Sequence, residues 1–523
     1  MNNKNLFKVA GLIALVTIFS KIVGFARDVV IAKVYGATYV SDAYFYAYQF
    51  PALAIILLGG LGGPFHTATV AVFTKIIPNL DKKPDEYVQR VFNTFVTLTS
   101  LFFLVLTVLF FFFSGPIVNF IASDATTELK NLASVHLKIM SPILLIGGVV
   151  GIFYGISNVY REFLYTSLSP TVQSVFIIAF LLLSQGDKLG YGLAYATLIG
   201  SIGQFVLQLP VFFKTGIIFK PIFYFQDDNI KRIGEILFPA MLGTTIGQIN
   251  IYVDMFVSSR LDEGAWSAIG YANRIFQFPV GVMITALLVP LFPMFSTFVA
   301  KHDFSSLREY FKKGLVSLWF VAFPILALIL MFSFDGVKLL FQRGAFDVND
   351  TLMVSEALFY ISLSIIPYVT RDTLTRVFYS FDDSKTPFLI AIFSIFVKFI
   401  MNALLVGPLG IGGITLSTTI VTTINAVLLA VFIRKKVSLS YLKLINPMSK
   451  IFFATILMSV VLGLANYIFS ITMPDTFIFL AIKLLLFAIL ACILYILFSL
   501  KLKLHPAQHL VYKARKFIIS RIH

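Results

Sequence analysis

Charge is scarce in this sequence. Only 13% of its 523 residues are Asp, Glu, Lys or Arg, against roughly 25% in a soluble domain, so an ordinary water-facing surface is excluded. Cysteine is rarer still. Cys492 stands alone, which excludes an intramolecular disulfide framework and a cysteine-built metal centre. Set in an apolar run, it is expected to be a small buried hydrophobe. No glycine-rich phosphate cradle followed by Lys-Ser or Lys-Thr occurs, so ATP is not used by this chain. No stretch is long enough for a soluble domain: the longest polar runs, near 75–90 and 434–450, are of connector length. Acidic residues do not cluster as a catalytic metal site needs, since Asp382–Asp383 reads as a solvated loop. That counts against a metal-dependent membrane enzyme.

What is present is apolar. Hydrophobic residues make up 58% of the chain, with 57 Phe, and the mean hydropathy is +0.91. A membrane span needs about 20 apolar residues. Fourteen segments qualify, at 6–33, 41–73, 90–122, 130–159, 170–185, 189–213, 233–260, 265–299, 311–343, 352–379, 386–407, 411–433, 450–472 and 475–500. The fold class is an all-α polytopic membrane protein of about 14 transmembrane helices. The start, MNNKNLFKVAGLIALVTIF, has a basic end and an apolar core but no small-residue cleavage site, so it is expected to stay as the first helix.

Lys and Arg gather in alternate connectors. Those after even-numbered spans are basic, as in Lys75, Lys82, Lys83 and Arg90, or Lys214, Lys220, Lys231 and Arg232, and both termini join them. Those after odd-numbered spans are poor in Lys and Arg and often acidic, as in SDATTEL (123–129), SQGDKLG (184–190), RLDEGAW (260–266) and MPDT (473–476). Positive charge stays on the cytoplasmic side, so both termini are expected there. The tail 504–523 places Leu510, Ala514, Phe517 and Ile518 on one helical face beside Lys513, Arg515, Lys516 and Arg521, a basic amphipathic helix suited to an anionic leaflet.

The chain repeats itself. Gly36–Ala37 with Gln49–Phe50–Pro51 matches Gly264–Ala265 with Gln277–Phe278–Pro279 at one offset of 228 residues. SLSP (167–170) and SKTP (384–387) likewise both lead into odd-numbered spans. Six spans per half is an even number, so the halves are parallel repeats. The expected division is an N-lobe at 1–225 (helices 1–6), a C-lobe at 226–440 (helices 7–12), helices 13–14 at 441–503 and the tail.

Ionisable residues inside spans cost at least ~2.5–3.5 kcal/mol each at the bilayer centre and are functional by default. Lys21, Arg27 and Asp28 lie on the first span, Asp42 opens the second, and Arg274 lies within the eighth. Several cations and few anions suit an anionic ligand, and Arg binds phosphate with a two-pronged fork. Structural ion pairs, Arg27 with Asp42 and Lys33 with Asp28, are the alternative. Asp254 on the seventh span and Lys398 on the eleventh are a further buried couple, with Asn402 one turn on and Thr418 on the twelfth. Oxygen-rich Asp, Asn and Thr would hold sodium; an ammonium there supplies the positive charge itself, so Lys398 either replaces a coupling cation or titrates with Asp254. A static pair is the plainer reading. Gly59–Gly60–Leu61–Gly62–Gly63–Pro64 interrupts span two, and Gly62, Gly63 and Pro64 are expected to form a hinge.

The run FSKIVGFARDVVIAKVYGATYVSDAYFYAYQFP, with YANRIFQFPVGV (271–282), LFQRGAF (340–346) and FYSFDDSKTP (378–387), resembles the MurJ (MviN) family of lipid II flippases. The resemblance implies the multidrug/oligosaccharidyl-lipid/polysaccharide exporter fold: two six-helix lobes around a cationic cavity, and two added helices that shelter a polyprenyl tail. It implies a transporter and not an enzyme. The substrate would be lipid II, an undecaprenyl-pyrophosphate disaccharide-pentapeptide, carried across the bacterial inner membrane for peptidoglycan synthesis. By the family pattern the substrate-binding residues are Lys21 (at a basic position usually Arg), Arg27, Asp28, Asp42 and Arg274, with Arg27 and Arg274 holding the pyrophosphate. Some members bind sodium where Asp254, Asn402 and Thr418 fall; otherwise no cofactor is expected, and sodium or the membrane potential is the expected driving force. Proteins of peptidoglycan synthesis are expected partners, nucleic acid is not. Ile55–Ile56 and GGLGGPF stand where many members carry an Arg pair and then Glu-Gly-Ala-Phe, which marks a divergent branch. A flippase for another lipid-linked saccharide and a cation-coupled small-molecule exporter are the alternatives.

Overall fold

The computed structural model describes residues 3–60, 62–77, 80, 83–184, 187–438, 440–472 and 476–522. Among them every regular element is a helix. By packing, the chain forms two compact units. One is Met1–Ser267 with Arg343–Asp347, the other Ala268–Gln342 with Val348–His523.

The first unit holds α1 (Asn3–Tyr35), α2 (Tyr39–Ala52), α3 (Pro64–Ile76), α4 (Glu86–Phe112), α5 (Ser114–Ile121), α6 (Thr127–Met140), α7 (Ile143–Val159), α8 (Phe163–Leu183), α9 (Tyr191–Thr215) and α10 (Asp228–Ser258). A π-helical segment, Leu53–Leu58, continues α2. Lipid removes the hydrophobic drive between helices, so membrane helices associate where small residues let backbones close in. Helix α7 supplies such a stripe. A Cβ on Gly147 would lie 2.7 Å from the Ile55 nitrogen, one on Gly151 2.6 Å from Gly59 Cα, and one on Gly155 2.3 Å from Thr69 Cβ. The π segment and α3 therefore sit directly on the α7 backbone. Phe65, Phe92, Phe103, Phe153 and Phe212 fill the space around this contact.

The second unit begins within α11 (Ala265–Met283), which runs into a second π segment, Ile284–Leu288. It continues through α12 (Leu291–Ala300), α13 (Phe304–Phe341), α14 (Val348–Ser362), α15 (Ile365–Ser380), α16 (Lys385–Val437), α17 (Leu442–Thr472), α18 (Phe477–Lys501) and α19 (His505–Ile522). Helix α13 is its axis and packs against α12, α14, α15, α17 and α18. It is kinked at Phe332 (φ −125°, ψ 24°). Helix α16 is two spans in one: Gly410 (φ 50°, ψ −127°) turns the chain, a conformation open to glycine alone. A Cβ on Gly413 would meet the Leu405 carbonyl at 2.3 Å, so the two limbs lie close.

Among the described residues, eight helices are long and apolar enough to cross a membrane, or eleven when three pairs bent by 41–46° each count as one span. The reversal in α16 adds a further span, and α1 and the α2–π–α3 run correspond to the first two expected segments. The all-α polytopic class is the one expected. Packing keeps α10 with the first unit, whereas the division expected from the sequence falls at 225/226. Two details differ from expectation. Cys492 is exposed, because it shares the outward face of α18 with Ile489 and Ile493, a face that suits lipid. The tail is helical as α19, but the side chains of Ala514, Phe517 and Ile518 lie outside the described residues, as do Leu61, Lys82 and parts of the 184–190 and 473–476 connectors.

Candidate functional site

Helix α1 carries the densest charge of any span. Ser20 ties it to α8: its hydroxyl donates to the Ser167 carbonyl (2.9 Å) and lies 2.6 Å from Thr171 Oγ1. Lys21, one residue on, is exposed. Two turns further, Arg27 meets Asp28. Its Nε and Nη2 donate to Asp28 Oδ1 at 3.0 and 2.8 Å, with side-chain exposures of 16% and 4%. Neighbouring residues on a helix face apart, yet the Arg side chain is long enough to fold back onto the carboxylate. The ion-pair alternative matched Arg27 to Asp42; the structure pairs it with Asp28.

Asp42 has other work. Its carboxylate is 3% exposed and accepts the Gly264 amide at Oδ2 (2.8 Å) and the Ser267 amide at Oδ1 (2.7 Å). These are the free N–H groups at the start of α11. Helix N-termini leave such donors unsatisfied and carry partial positive charge, so a carboxylate from α2 closes the end of α11. Ser41 adds a bond to the Ser267 hydroxyl (3.1 Å). The other side of the same corner is closed by 343–347. The Ala345 amide donates to the Lys33 carbonyl (2.8 Å), one of the last free acceptors of α1. The α1–α2 corner is thus gripped by two short segments far away in sequence. Buried tyrosines line α2: Tyr44 Oη lies 3.0 Å from Thr197 Oγ1, and Tyr46 Oη donates to the Met255 carbonyl (3.0 Å) and meets Ser258 Oγ at 2.7 Å.

The remaining candidates lie on other helices. Arg274 is half-buried on α11, in the second unit, and Asp254 is half-buried on α10, in the first. Lys398 is 2% exposed on the first limb of α16. Its ammonium donates to the Ile414 carbonyl (3.2 Å), to Ser417 Oγ (2.9 Å) and to Thr418 Oγ1 on the returning limb. Asn402 Oδ1 accepts from the Ser417 hydroxyl. The structure brings Lys398, Asn402 and Thr418 together around one oxygen cluster. That donor set does not fit sodium while Lys398 is present, because the ammonium already takes the oxygens. Gly62 (φ +82°) turns the chain ahead of α3, and its amide donates to His66 Nδ1 (3.2 Å). Pro64 stands at the first position of α3, where its missing N–H costs nothing.

Sequence reasoning missed two features. The Gly147, Gly151, Gly155 stripe was readable as small residues four apart. The Lys483–Asp335 pair, 2.6 Å between α18 and α13, joins residues too distant in sequence to be matched by spacing.

Comparison with known proteins adds to this geometry. A family model described as lipid II flippase MurJ matches residues 31–507. The chain belongs to that family. A probable lipid II flippase MurJ of Synechocystis is 30% identical over 430 residues, covering 80% of this chain and 79% of the relative. A probable lipid II flippase MurJ of Buchnera aphidicola from Acyrthosiphon pisum is 29% identical over 484 residues, covering 91% and 93%. Among solved structures, a lipid II flippase MurJ in an inward closed conformation superposes with a TM-score of 0.80 at 25% identity, covering 94% of this chain and 99% of that one. An inward-facing multidrug transporter of the MATE family superposes with a TM-score of 0.65 at 16% identity, over 81% and 98%; that likeness is one of fold. Membership of the MurJ family makes the chain a bacterial membrane transporter.

Proposed function

We propose that this protein is a lipid II flippase, carrying the polyprenyl-pyrophosphate-linked peptidoglycan precursor from the cytoplasmic to the outer leaflet of the inner membrane by alternating access. The observation that carries the reading is the family match over residues 31–507, in a chain whose first span holds a nearly buried guanidinium. Arg27 is the group suited to a pyrophosphate, and Asp28 keeps its charge neutralised when no substrate is bound. Arrival of the pyrophosphate exchanges one anion for another, so the guanidinium is never left uncompensated in the membrane, a state that would cost several kcal/mol. Arg274 supplies a second guanidinium and Lys21, being exposed, adds positive potential. Asp42 acts by holding the start of α11 against α2, a positioning role.

Movement is supported by the glycine-rich turn around Gly62–Gly63 and by the π segments, where helical bonding is already loosened. Helices α17 and α18 shelter the lipid tail; an apolar cavity of about 170 Å³ beside the α13 kink, lined by Phe332, Leu484 and Phe487 among others, supports this. The fixed ammonium of Lys398 stands in for a mobile cation, which leaves the membrane potential as the driving force. Both termini face the cytoplasm, and proteins of peptidoglycan synthesis are partners. Depletion of the protein in cells, followed by a leaflet-resolved assay, tests the reading: lipid II should build up where an outer-leaflet probe cannot reach it. Unchanged exposure of lipid II after depletion would count against it.

A further inference from the structure

A cavity away from the charged corner has a character of its own. It lies in the first unit, measures about 650 Å³, and is walled by α4, α7, α9 and the chain that follows α9. Phe92, Val96, Val149, Phe153 and Phe212 form its buried wall. Its rim is open: Phe213, Ile218 and Phe219 are 82%, 61% and 50% exposed.

The chain forming that rim is pinned to α4 by a single polar stripe. Gln89 Nε2 donates to the Gly216 carbonyl (2.8 Å), and Gln89 Oε1 accepts the Ile218 amide (3.1 Å). Asn93 Oδ1 accepts the Lys220 amide (3.0 Å) and Thr97 Oγ1 the Ile222 amide (3.2 Å). Gln89, Asn93 and Thr97 are spaced four apart, so they share one helical face, and alternate amides of an extended chain meet them. The backbone is satisfied from one side, which leaves Phe223, Tyr224 and Phe225 exposed. Cations interleave with these rings. Arg90 lies 5.3 Å over the Tyr224 ring, and the Lys83 stem would stand 3.1 Å from a Cβ on Gly216. Lys220 is exposed on the strap itself, and Lys214 pairs with Glu162 at 3.1 Å.

Exposed aromatics with lysines mark the headgroup layer, and these basic connectors are the cytoplasmic ones by the charge bias. Depth agrees. From Gln89, level with the strap, to Ser100, in the cavity wall, α4 rises about 16 Å, close to one leaflet of a ~30 Å hydrocarbon core. We propose that this cavity holds an acyl chain of an anionic phospholipid of the cytoplasmic leaflet, with its phosphate at Lys83 and Lys220.

Native mass spectrometry of the full chain, with phosphatidylglycerol or phosphatidylcholine of identical acyl chains added, tests this. The wild type is expected to retain phosphatidylglycerol preferentially. Combining Lys83→Gln with Lys220→Gln should lower its retention about thirtyfold, from roughly 1 kcal/mol per lysine at an anionic surface, and leave phosphatidylcholine unaffected. Val149→Trp fills the cavity and should remove both lipids. A phosphatidylglycerol with a photoreactive acyl end gives a readout on the unaltered protein: labelled peptides are expected within 145–153 and 205–213. Equal retention of the two lipids, wild-type binding by the double variant, or labelling elsewhere overturns the proposal. So does displacement of the labelled lipid by equimolar undecaprenyl pyrophosphate, which would give the cavity to the transported lipid.

Discussion

Two stretches of this chain share a sequence pattern and are finished differently. The first is α2 with its π segment and α3; the second, 228 residues on, is α11 with its π segment and α12. Each opens after a glycine of positive φ, Gly36 at 65° and Gly264 at 89°. Each carries a proline inside the helix, Pro51 and Pro279, and each then widens into a π segment. The differences lie at the ends. In the first stretch Ser41 accepts the Thr38 amide at 2.9 Å, so the helix caps itself. The second helix starts at Ala265, where the Ser267 hydroxyl donates to the Gly264 carbonyl at 3.0 Å and the carboxylate of Asp42 takes the Gly264 and Ser267 amides from outside the stretch. The far end of the first breaks at Gly59–Gly63 and lies on the α7 backbone; the second bends by 41° and goes on. Tyr46 in the first, bonded into α10, corresponds to Arg274 in the second. The two stretches keep matching backbone irregularities and differ in side chains: the first bonds Tyr46 into α10, the second places Arg274 at the matched position.

The largest expected effect tests that difference. Arg274→Ala should abolish rescue of a flippase-depleted strain with the protein still in the membrane, whereas Tyr46→Phe at the matched position should leave rescue intact and only lower the thermal midpoint. Equal loss of rescue from both would erase the distinction. Next comes Lys398→Asn, which takes the ammonium from the oxygens of Ile414, Ser417 and Thr418. Rescue should then require sodium in the medium; sodium-independent rescue would mean the ammonium is only structural. Gly151→Ala places a methyl 2.6 Å from Gly59 Cα and should cost about 1–3 kcal/mol through overpacking, measured as a lower midpoint in detergent. The smallest effect belongs to Asp42→Asn. One amide partner is kept and the charge at the helix end is lost, a cost of about 1 kcal/mol. Transport should survive. Lost transport at an unchanged midpoint would move Asp42 from the cap into substrate contact.

Much of this was legible in the sequence. Apolar length and the alternation of basic connectors carry the fourteen segments, because lipid tolerates little else. The offset linking Gly36 to Gly264 carries the repeat, and the two π segments, invisible in composition, fall at corresponding places within it. Side-chain pairing was not legible. Adjacent residues are expected to face apart, so the ion-pair alternative put Arg27 with Asp42, when the reach of the guanidinium lets it take Asp28. The cap that Asp42 forms depends on residues more than 220 positions away. Lys398 was singled out by its cost in the membrane, with Asn402 and Thr418 placed beside it; its bonds to the Ile414 carbonyl and Ser417 followed only from the turn at Gly410.

The most direct measurement is the leaflet position of lipid II in cells whose only copy of the protein is Arg27→Ala, expressed at the wild-type level. The exchange of Asp28 for pyrophosphate at Arg27 predicts that lipid II stays shielded from an outer-leaflet probe, as it does on depletion. Lipid II exposed at the wild-type level in those cells would contradict it.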